Sequence, residues 1–385
     1  MAALSRPALQ QARQGGAPPA RVSGSAIVYR LYDVGYGIDL ERAALLSKDW
    51  VPERARPRRG EAQALQIPNP PLTLLLEPVT LEAAGRTHTA EASARIFDFG
   101  TVSLRLSIAC PPDLPWERFV EFGNAIDIGA DLTPRFTAQL ASVLERLGPA
   151  VERRVVSPLT EDYVVFRIHR MSDAAGAPYP PAALRDQDLV PLLLGERRAL
   201  SRAARDELLP HAFTYYEDDL ALLTWDNALI VESNPEDSDV QYVLEFANAQ
   251  LLELRVYDAI LEAELAKMRR RIGALQTAPA RVLRRHTPLL RELHALLADL
   301  TDLVEGVENA LKVTDDVYLA RIYQAALEIF RGRDWRAGID RKLAILRETY
   351  TMMNSESQAA RSELLELAIV ALIVVEIVLA LWRAT

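Results

Sequence analysis

Cysteine is nearly absent: Cys110 stands alone in 385 residues. No intramolecular disulfide can form, and no cysteine-based zinc cluster is available. That usage fits a reducing compartment. The five histidines are scattered, and none sits in an H-E-x-x-H pair. No Walker A run and no G-x-G-x-x-G turn occurs, which removes the commonest phosphate and dinucleotide cradles. The N-terminus lacks the apolar stretch of a secretory signal. Positive charge is in deficit, with a formal net charge of −9. That balance argues against a global nucleic-acid binder and leaves room only for local basic patches.

What is present is enough apolar sequence, 50% of residues, to build a sizeable core and exclude wholesale disorder. The length suggests two folded units, or one unit with an extended element. Residues 1–25 are rich in Ala, Gln, Gly and Pro, with Arg6, Arg13 and Arg21 and no acid. They read as a disordered arm, since Pro7, Pro18 and Pro19 break any long helix. The composition also overlaps with a mitochondrial transit peptide.

Residues 26–233 read as an α+β domain with a mixed or antiparallel sheet. Ala26–Asp33 is rich in β-branched and aromatic residues, as a strand is. Asp39 is placed to cap a short helix through Lys48. Residues 51–71 form a Pro/Arg-rich excursion, and Leu72–Glu77 a short strand. Ala94–Phe99 and Thr101–Ala109 read as a hairpin, with Gly100 supplying the positive φ of its turn. Pro115–Asn124 and Thr133–Leu147 read as helices, and Glu161–Arg170 as a strand. Ala182–Leu209 reads as helix in two pieces. Three short strands follow, Ala212–Tyr216, Leu220–Trp225 and Ala228–Glu232, the last two joined by an Asp226-Asn227 turn. Strands and helices are grouped rather than alternating, which argues against a Rossmann-type unit.

From Ser233-Asn-Pro235 the pattern turns helical, and residues 234–362 read as a long antiparallel helical hairpin or bundle. One seam holds Leu244, Leu251, Asp258, Leu265 and Ile272; its companion holds Ala247, Leu254, Leu261, Met268 and Leu275. Such a seam wants a partner helix. Breaks are expected near Pro279 and Pro288 and across Gly332–Gly338. A second helix is expected over Pro288–Phe330, and a third through Leu343, Leu346, Tyr350 and Met353.

Residues 363–385 hold the longest apolar run, Leu364–Trp382, with only Arg383, Ala384 and Thr385 after it. It just meets the ~20 residues that span a bilayer. Glu366 lies at its entry end. Glu376 lies deep, where a charge costs roughly 2.5–3.5 kcal/mol against about 0.3–0.6 returned by each large apolar residue. Trp382 and Arg383 fit an interfacial anchor. The expectation is therefore a C-terminal transmembrane helix, with a buried helix in an oligomer as the alternative. Three fates are open to Glu376: a neutral carboxyl, a polar partner on another subunit, or a lean toward the interface and Arg383; a role in assembly is expected ahead of one in proton or ion movement.

The run Arg361-Ser-Glu-Leu-Leu-Glu-Leu-Ala-Ile-Val-Ala-Leu-Ile-Val-Val-Glu-Ile-Val-Leu379 resembles the C-terminal signature of the "required for meiotic nuclear division" family, Glu366 and Glu376 matching its two acids. Phe97-Asp-Phe-Gly-Thr-Val102 resembles that family's aromatic-Asp-aromatic-Gly strand pair. Leu222–Val231 departs from the Ser/Ala-rich stretch common there, while Asn309–Ala320 looks like uncharacterised bacterial membrane proteins. For mitochondrial members the resemblance implies an inner-membrane protein supporting translation; for bacterial members it implies no named activity.

Catalytic signals are weak. Glu217, Asp218 and Asp219 read as a solvated strand entry, and Asp315 and Asp316 as helical ion-pair partners. His286 and His294 are poorly spaced for one metal. The basic cluster Arg269, Arg270, Arg271, Arg284 and Arg285, with Lys267 and Arg281, is the best candidate partner site, for RNA or an acidic protein. Against it stands a solvated helix end whose cations suit the C-terminal dipole. The sequence points to a non-enzymatic, membrane-anchored scaffold or adaptor without cofactor or metal. It is expected to self-assemble through its helical seams, with a lipid bilayer and a protein as partners. An RNA or ribosome tether is the alternative. The expected location is the inner membrane of a bacterium, with the N-terminal domains on the cytoplasmic side.

Overall fold

A computed structural model describes residues 17–46, 50–52, 69–196, 198, 200–201, 203–204, 211–232, 239–276 and 317–384. The chain divides into two compact units, residues 1–253 with 307–333, and residues 254–306 with 334–385.

Unit 1 is built on a sheet whose strands are β1 (Arg21–Asp33), β3 (Trp50–Pro52), β4 (Leu72–Ala83), β5 (Arg86–Ile96), β6 (Thr101–Ala109), β8 (Thr160–Ser172), β9 (His211–Phe213), β10 (Leu220–Leu223) and β11 (Asn227–Val231). Their order is β3-β4-β5-β6-β1-β8-β11-β10-β9. Neighbours are antiparallel except β8 and β11, which run parallel. Two short strands, β2 (Gly37–Ile38) and β7 (Val151–Glu152), pair separately. The α+β reading therefore holds. β1 begins at Arg21, five residues ahead of the expected start, because Val22 is fully buried and bridges Leu114.

β1 lies at the centre and is buried almost throughout. Alternation sends its side chains to opposite faces. Ala26 and Val28 join a large apolar cluster with Leu74, Ala94, Val102, Leu104, Leu106 and Phe166. That cluster also holds Phe119, Phe122 and Ile126 of α2 (Trp116–Asp127) and Phe136, Leu140, Val143 and Leu144 of α3 (Thr133–Leu147). Both helices carry their apolar residues on one stripe, which is what a sheet face selects. Helix α2 comes close at Gly123, where a Cβ would stand 2.8 Å from Leu192 and 2.9 Å from Phe166.

The expected hairpin at Asp98-Phe-Gly100 is present, with Gly100 at φ +100°. A Cβ there would lie 2.1 Å from the Gly35 carbonyl, because the segment after β1 crosses this turn. Val34 N–H donates to Gly100 O at 3.0 Å. Asp33, at the crossing, is buried, and burial pushes its carboxyl up to about 7 against the opposing bond from the Gly35 N–H.

A short helix, α1 (Leu40–Leu46), begins after Asp39, whose Oδ1 accepts from Arg42 N–H at 2.9 Å. The helix expected in two pieces over Ala182–Leu209, broken near Gly195, is present only in part: the break is there and residues 203 and 204 are helical, but the first piece is reduced to short turns. Pro181–Asp186 is a 3-10 turn and Val190–Leu193 (α4) a single helical turn. Pro181 and Pro191 begin these pieces, and Gly195, at φ +62°, follows the second.

Among the described residues three longer helices follow: α5 (Asp239–Gln276), α6 (Val317–Ile329) and α7 (Gly332–Ala384). The interruption expected across Gly332–Gly338 is confined to Phe330 and Arg331, the latter at φ +52°. Gly338 lies inside α7, where its Cβ position would be 3.5 Å from Asp258 Oδ1. In unit 2 the seam residues Leu254, Leu261, Leu265 and Met268 are buried, as are Ile339, Leu343 and Leu346 of α7. Asp258, the polar break in the seam, accepts from Lys342 Nζ at 2.9 Å, and Glu262 does the same at 2.9 Å. The expected breaks at Pro279 and Pro288, and the helix from Pro288 to residue 316, lie outside the described residues.

The expected transmembrane helix is overturned. Among the described residues no helix is long and apolar enough to cross a membrane. The tail continues α7, a 53-residue helix that begins in charged sequence, and Glu366 and Glu376 interrupt its apolar end. The tail-anchor reading, the bilayer as partner and the single-pass inner-membrane location are withdrawn with it.

Two outcomes are expected of unit 1. Gly123→Val should destabilise the chain by about 1–3 kcal/mol through overpacking, read as a lower denaturant midpoint. Asp33, with its folded pKa raised, favours the fold most below its unfolded pKa and loses that contribution as pH rises through 7. Asp33→Asn should therefore gain up to about 4 kcal/mol on the parent between pH ~4 and ~7, measured by urea unfolding across that range.

Candidate functional site: a buried polar layer beneath one helix

The second face of the sheet is mixed: buried Ile27, Leu31 and Val165 share it with polar side chains. Tyr29 of β1, Arg95 of β5, Thr101, Ser103 and Arg105 of β6 and Tyr163 of β8 occupy it. The N-terminal half of α5 lies over it. Every residue from Val240 to Leu254 is buried, polar ones included. Gln241, Glu245 and Asn248 recur at helical spacing along one side, with Gln250 and Glu253 beyond them.

These groups meet partners. Arg95 Nη1 pairs with Glu245 Oε2, and the guanidinium lies 4.6 Å above the Tyr242 ring. Gln241 Nε2 donates to the Tyr29 hydroxyl. Thr101 Oγ1 donates to Glu253 Oε1 at 2.6 Å. Asn248 Nδ2 donates back to Leu244 O at 2.9 Å. On another side, the Tyr323 hydroxyl of α6 donates to Gln250 Oε1. Rings fill the gaps: Phe97, Phe99, Tyr242 and Tyr323 surround Phe246 at 5.9–6.4 Å. Tyr163 meets Phe330 edge-on at 5.7 Å.

Burial raises the Tyr29 hydroxyl far above its ordinary pKa, and the Glu245 charge adds to this against Arg105 and Arg95. Burial does the same to Tyr163, then Asp226. Burial also raises Tyr323, against its bond to Gln250. These phenols are neutral hydrogen-bonding groups. Among the described residues Ser103 Oγ and Gln241 Oε1 are buried without a hydrogen-bond partner, an arrangement in which internal water is common. The layer pairs charge with charge inside the fold and exposes no activated nucleophile. Its physical effect is to fix where α5 sits. Among the described residues no group of three His, Cys, Asp or Glu side chains is placed to hold a metal ion.

With this geometry in place, similarity can be set against it. Residues 23–238 match the family model described as "Uncharacterized protein MJ0711, N-terminal domain". The chain belongs to that family. The uncharacterized protein MJ0711 of Methanocaldococcus jannaschii is 27% identical over 227 residues, covering 57% of this chain and 66% of that relative, just under two thirds of its length. No solved structure matches the chain. The MJ0711-type match replaces the resemblance to the "required for meiotic nuclear division" family, and an archaeal relative gives no support to a bacterial source. The resemblance rested mainly on residues 361–379, an apolar helix whose composition many unrelated helices share. Its second part, Phe97–Val102, is a tight turn whose glycine is demanded by backbone geometry. The matched region is instead the sheet domain, including the strands that carry Tyr29, Arg95 and Thr101.

The sequence-derived site residues are dispersed. Arg269 is exposed and lies 3.6 Å from Glu262; Arg270 is exposed on the same helix. Arg271 lies in α5, and its side chain is not among those described. Arg284, Arg285, His286, His294, Asp315 and Asp316 lie outside the described residues. Glu366, Glu376 and Trp382 are exposed on α7, and Arg383 is in that helix with its side chain outside the described set. The acidic run at 217–219 is a turn in which Asp219 Oδ1 accepts from Tyr215 N–H at 2.7 Å. Sequence reading missed Arg95, Gln241, Glu245 and Glu253. Their signal was available: acids and amides recur on the same helix as the apolar seam, and Arg95 stands in an otherwise uncharged stretch of strand.

Glu245→Leu leaves Arg95 buried without its carboxylate. It is expected to cost about 3–5 kcal/mol, and Arg95→Met with Glu245→Leu should recover most of that loss in a thermal or denaturant double-mutant cycle.

Proposed function

We propose that this protein is a non-enzymatic scaffold or adaptor that self-associates through the C-terminal part of α7. The observation that carries the reading is exposure. Leu365, Leu367, Ile369, Val370, Leu372, Ile373, Val374, Val375 and Ile377 are each 50–69% exposed. A run of that kind marks an interaction surface. The residues encircle the helix, so one flat partner covers only part of them. Like helices gathered around a common axis cover every side, and a second copy of this chain brings the same apolar face.

The energetics support association. Fully burying such a side chain is worth roughly 1.5–3 kcal/mol, so covering the exposed half of nine contributes on the order of 10 kcal/mol per protomer, against a cost of about 4–15 kcal/mol for lost translation and rotation. Glu366 and Glu376 lie within the run and disfavour registers that bring them into apolar contact, a specifying role for polar residues at helical interfaces.

The full chain is expected to sediment as an oligomer at micromolar concentration. Removal of residues 364–385 should yield a monomer with an unchanged unfolding midpoint for unit 1. A full chain that stays monomeric by sedimentation equilibrium refutes self-association.

A further inference from the structure

We propose that the turn between β9 and β10, together with the start of α6, is a docking surface for an arginine-bearing segment of a partner protein. The turn spans residues 214–219 and joins two antiparallel strands. It and α6 both belong to unit 1.

Three observations carry this. The first is a pair of rings held in place at the surface. Tyr215 and Tyr216 are 57% and 56% exposed. Their rings stand at 89° to each other with centroids 4.7 Å apart. Tyr215 also meets the ring of Tyr318 of α6 at 5.2 Å, and Tyr318 is buried. The backbone of the turn is tied as well, because Tyr215 N–H donates to Asp219 Oδ1 at 2.7 Å. The two exposed rings are therefore ordered before a partner arrives, which lowers the entropic cost of docking. Adjacent exposed tyrosines, amphipathic and stiff, are the side chains that interfaces favour.

The second is the sign of the charge. Glu217 and Asp218 are exposed on the same turn, and Asp219 follows them half-buried. Electron-rich ring faces beside carboxylates attract a cation. Exposed rings also stack on nucleic-acid bases, but carboxylates beside them repel the phosphates, so a cationic polypeptide fits this turn better than RNA. The third is the kind of cation. Two guanidinium groups of the chain already settle on rings along α6: Arg321 lies over Phe213 of β9 at 5.8 Å, and Arg331 over Trp225 at 5.8 Å. Arg321 is the cation one helical turn beyond Tyr318, and the three acids of the turn outnumber it. A guanidinium stacks its plane on a ring while its N–H fork engages a carboxylate, which a lysine ammonium cannot do. Rings and acids on one ordered turn therefore select arginine.

The test uses the full chain and three fluorescein-labelled probes: an eight-residue peptide alternating arginine and glycine, its lysine counterpart, and a single-stranded oligouridylate. Fluorescence anisotropy is read at about 0.15 M salt, where long-range attraction to a chain of net charge −9 is screened. The arginine peptide should bind saturably. The lysine peptide, equal in charge, should bind at least about threefold more weakly, and the oligouridylate should not bind. Tyr216→Leu keeps the charge and the apolar contact but removes the ring; it should weaken binding of the arginine peptide about threefold, and Tyr216→Phe should retain it. Glu217→Gln combined with Asp218→Asn should weaken it about tenfold. Because these side chains are exposed, the melting temperature should not change in any variant. The proposal is overturned if the arginine peptide does not bind, if the lysine peptide binds as tightly, if the oligouridylate binds in its place, or if the Tyr216→Leu and acid-neutralised chains bind like the parent.

Discussion

Helix α5 is buried on every side between Val240 and Leu254 and yet carries five polar side chains there. That constraint governs the rest of unit 1. Each of those groups would be costly in an apolar site. They are accommodated because the sheet beneath them carries polar groups on the same face: Arg95 for Glu245, Tyr29 for Gln241, Thr101 for Glu253. Tyr323 of α6 does the same for Gln250 on another side. An apolar helix could rotate or slide over an apolar sheet at modest cost. This one cannot, because any other register strands a buried charge.

The sheet therefore has two faces of different character. One is an apolar core shared with α2 and α3, tolerant of conservative repacking. The other is a set of directional contacts that orient α5. The same helix then enters unit 2, where Asp258 and Glu262 share Lys342. Polar residues at helix contacts recur as the devices that specify geometry in both units, a role they serve at some cost in stability. This suits an adaptor, whose task is to hold surfaces in fixed relation, better than a protein organised about an open cleft.

Much of the α+β unit was legible because its strands are rich in β-branched and aromatic residues and bounded by turn residues. The hairpin at Gly100 follows from its φ requirement; the turn expected at Asp226-Asn227 falls one residue earlier, at Trp225-Asp226, with Asn227 already in β11. In the helical stretch expected over Ala182–Leu209 the break near Gly195 was read correctly, but the piece before it was overextended because prolines at 181 and 191 can start a turn as readily as they interrupt a helix. The tail was misread because an apolar run carries the same pattern whether it meets lipid, a neighbouring subunit or solvent. The polar layer escaped notice because a glutamate in a helix looks solvent-facing until the strand that pairs with it is placed.

The sequence by itself determined many of the strands and helices, the tight turn at Gly100, and the apolar seam of α5. Those depend on side-chain periodicity and on local backbone sterics, which are properties of neighbours in the chain. Tertiary structure alone decided that Glu245 lies against Arg95, 150 residues away, and that β8 and β11 run parallel. Those pairings join residues far apart in sequence, and nothing in either local pattern names its partner.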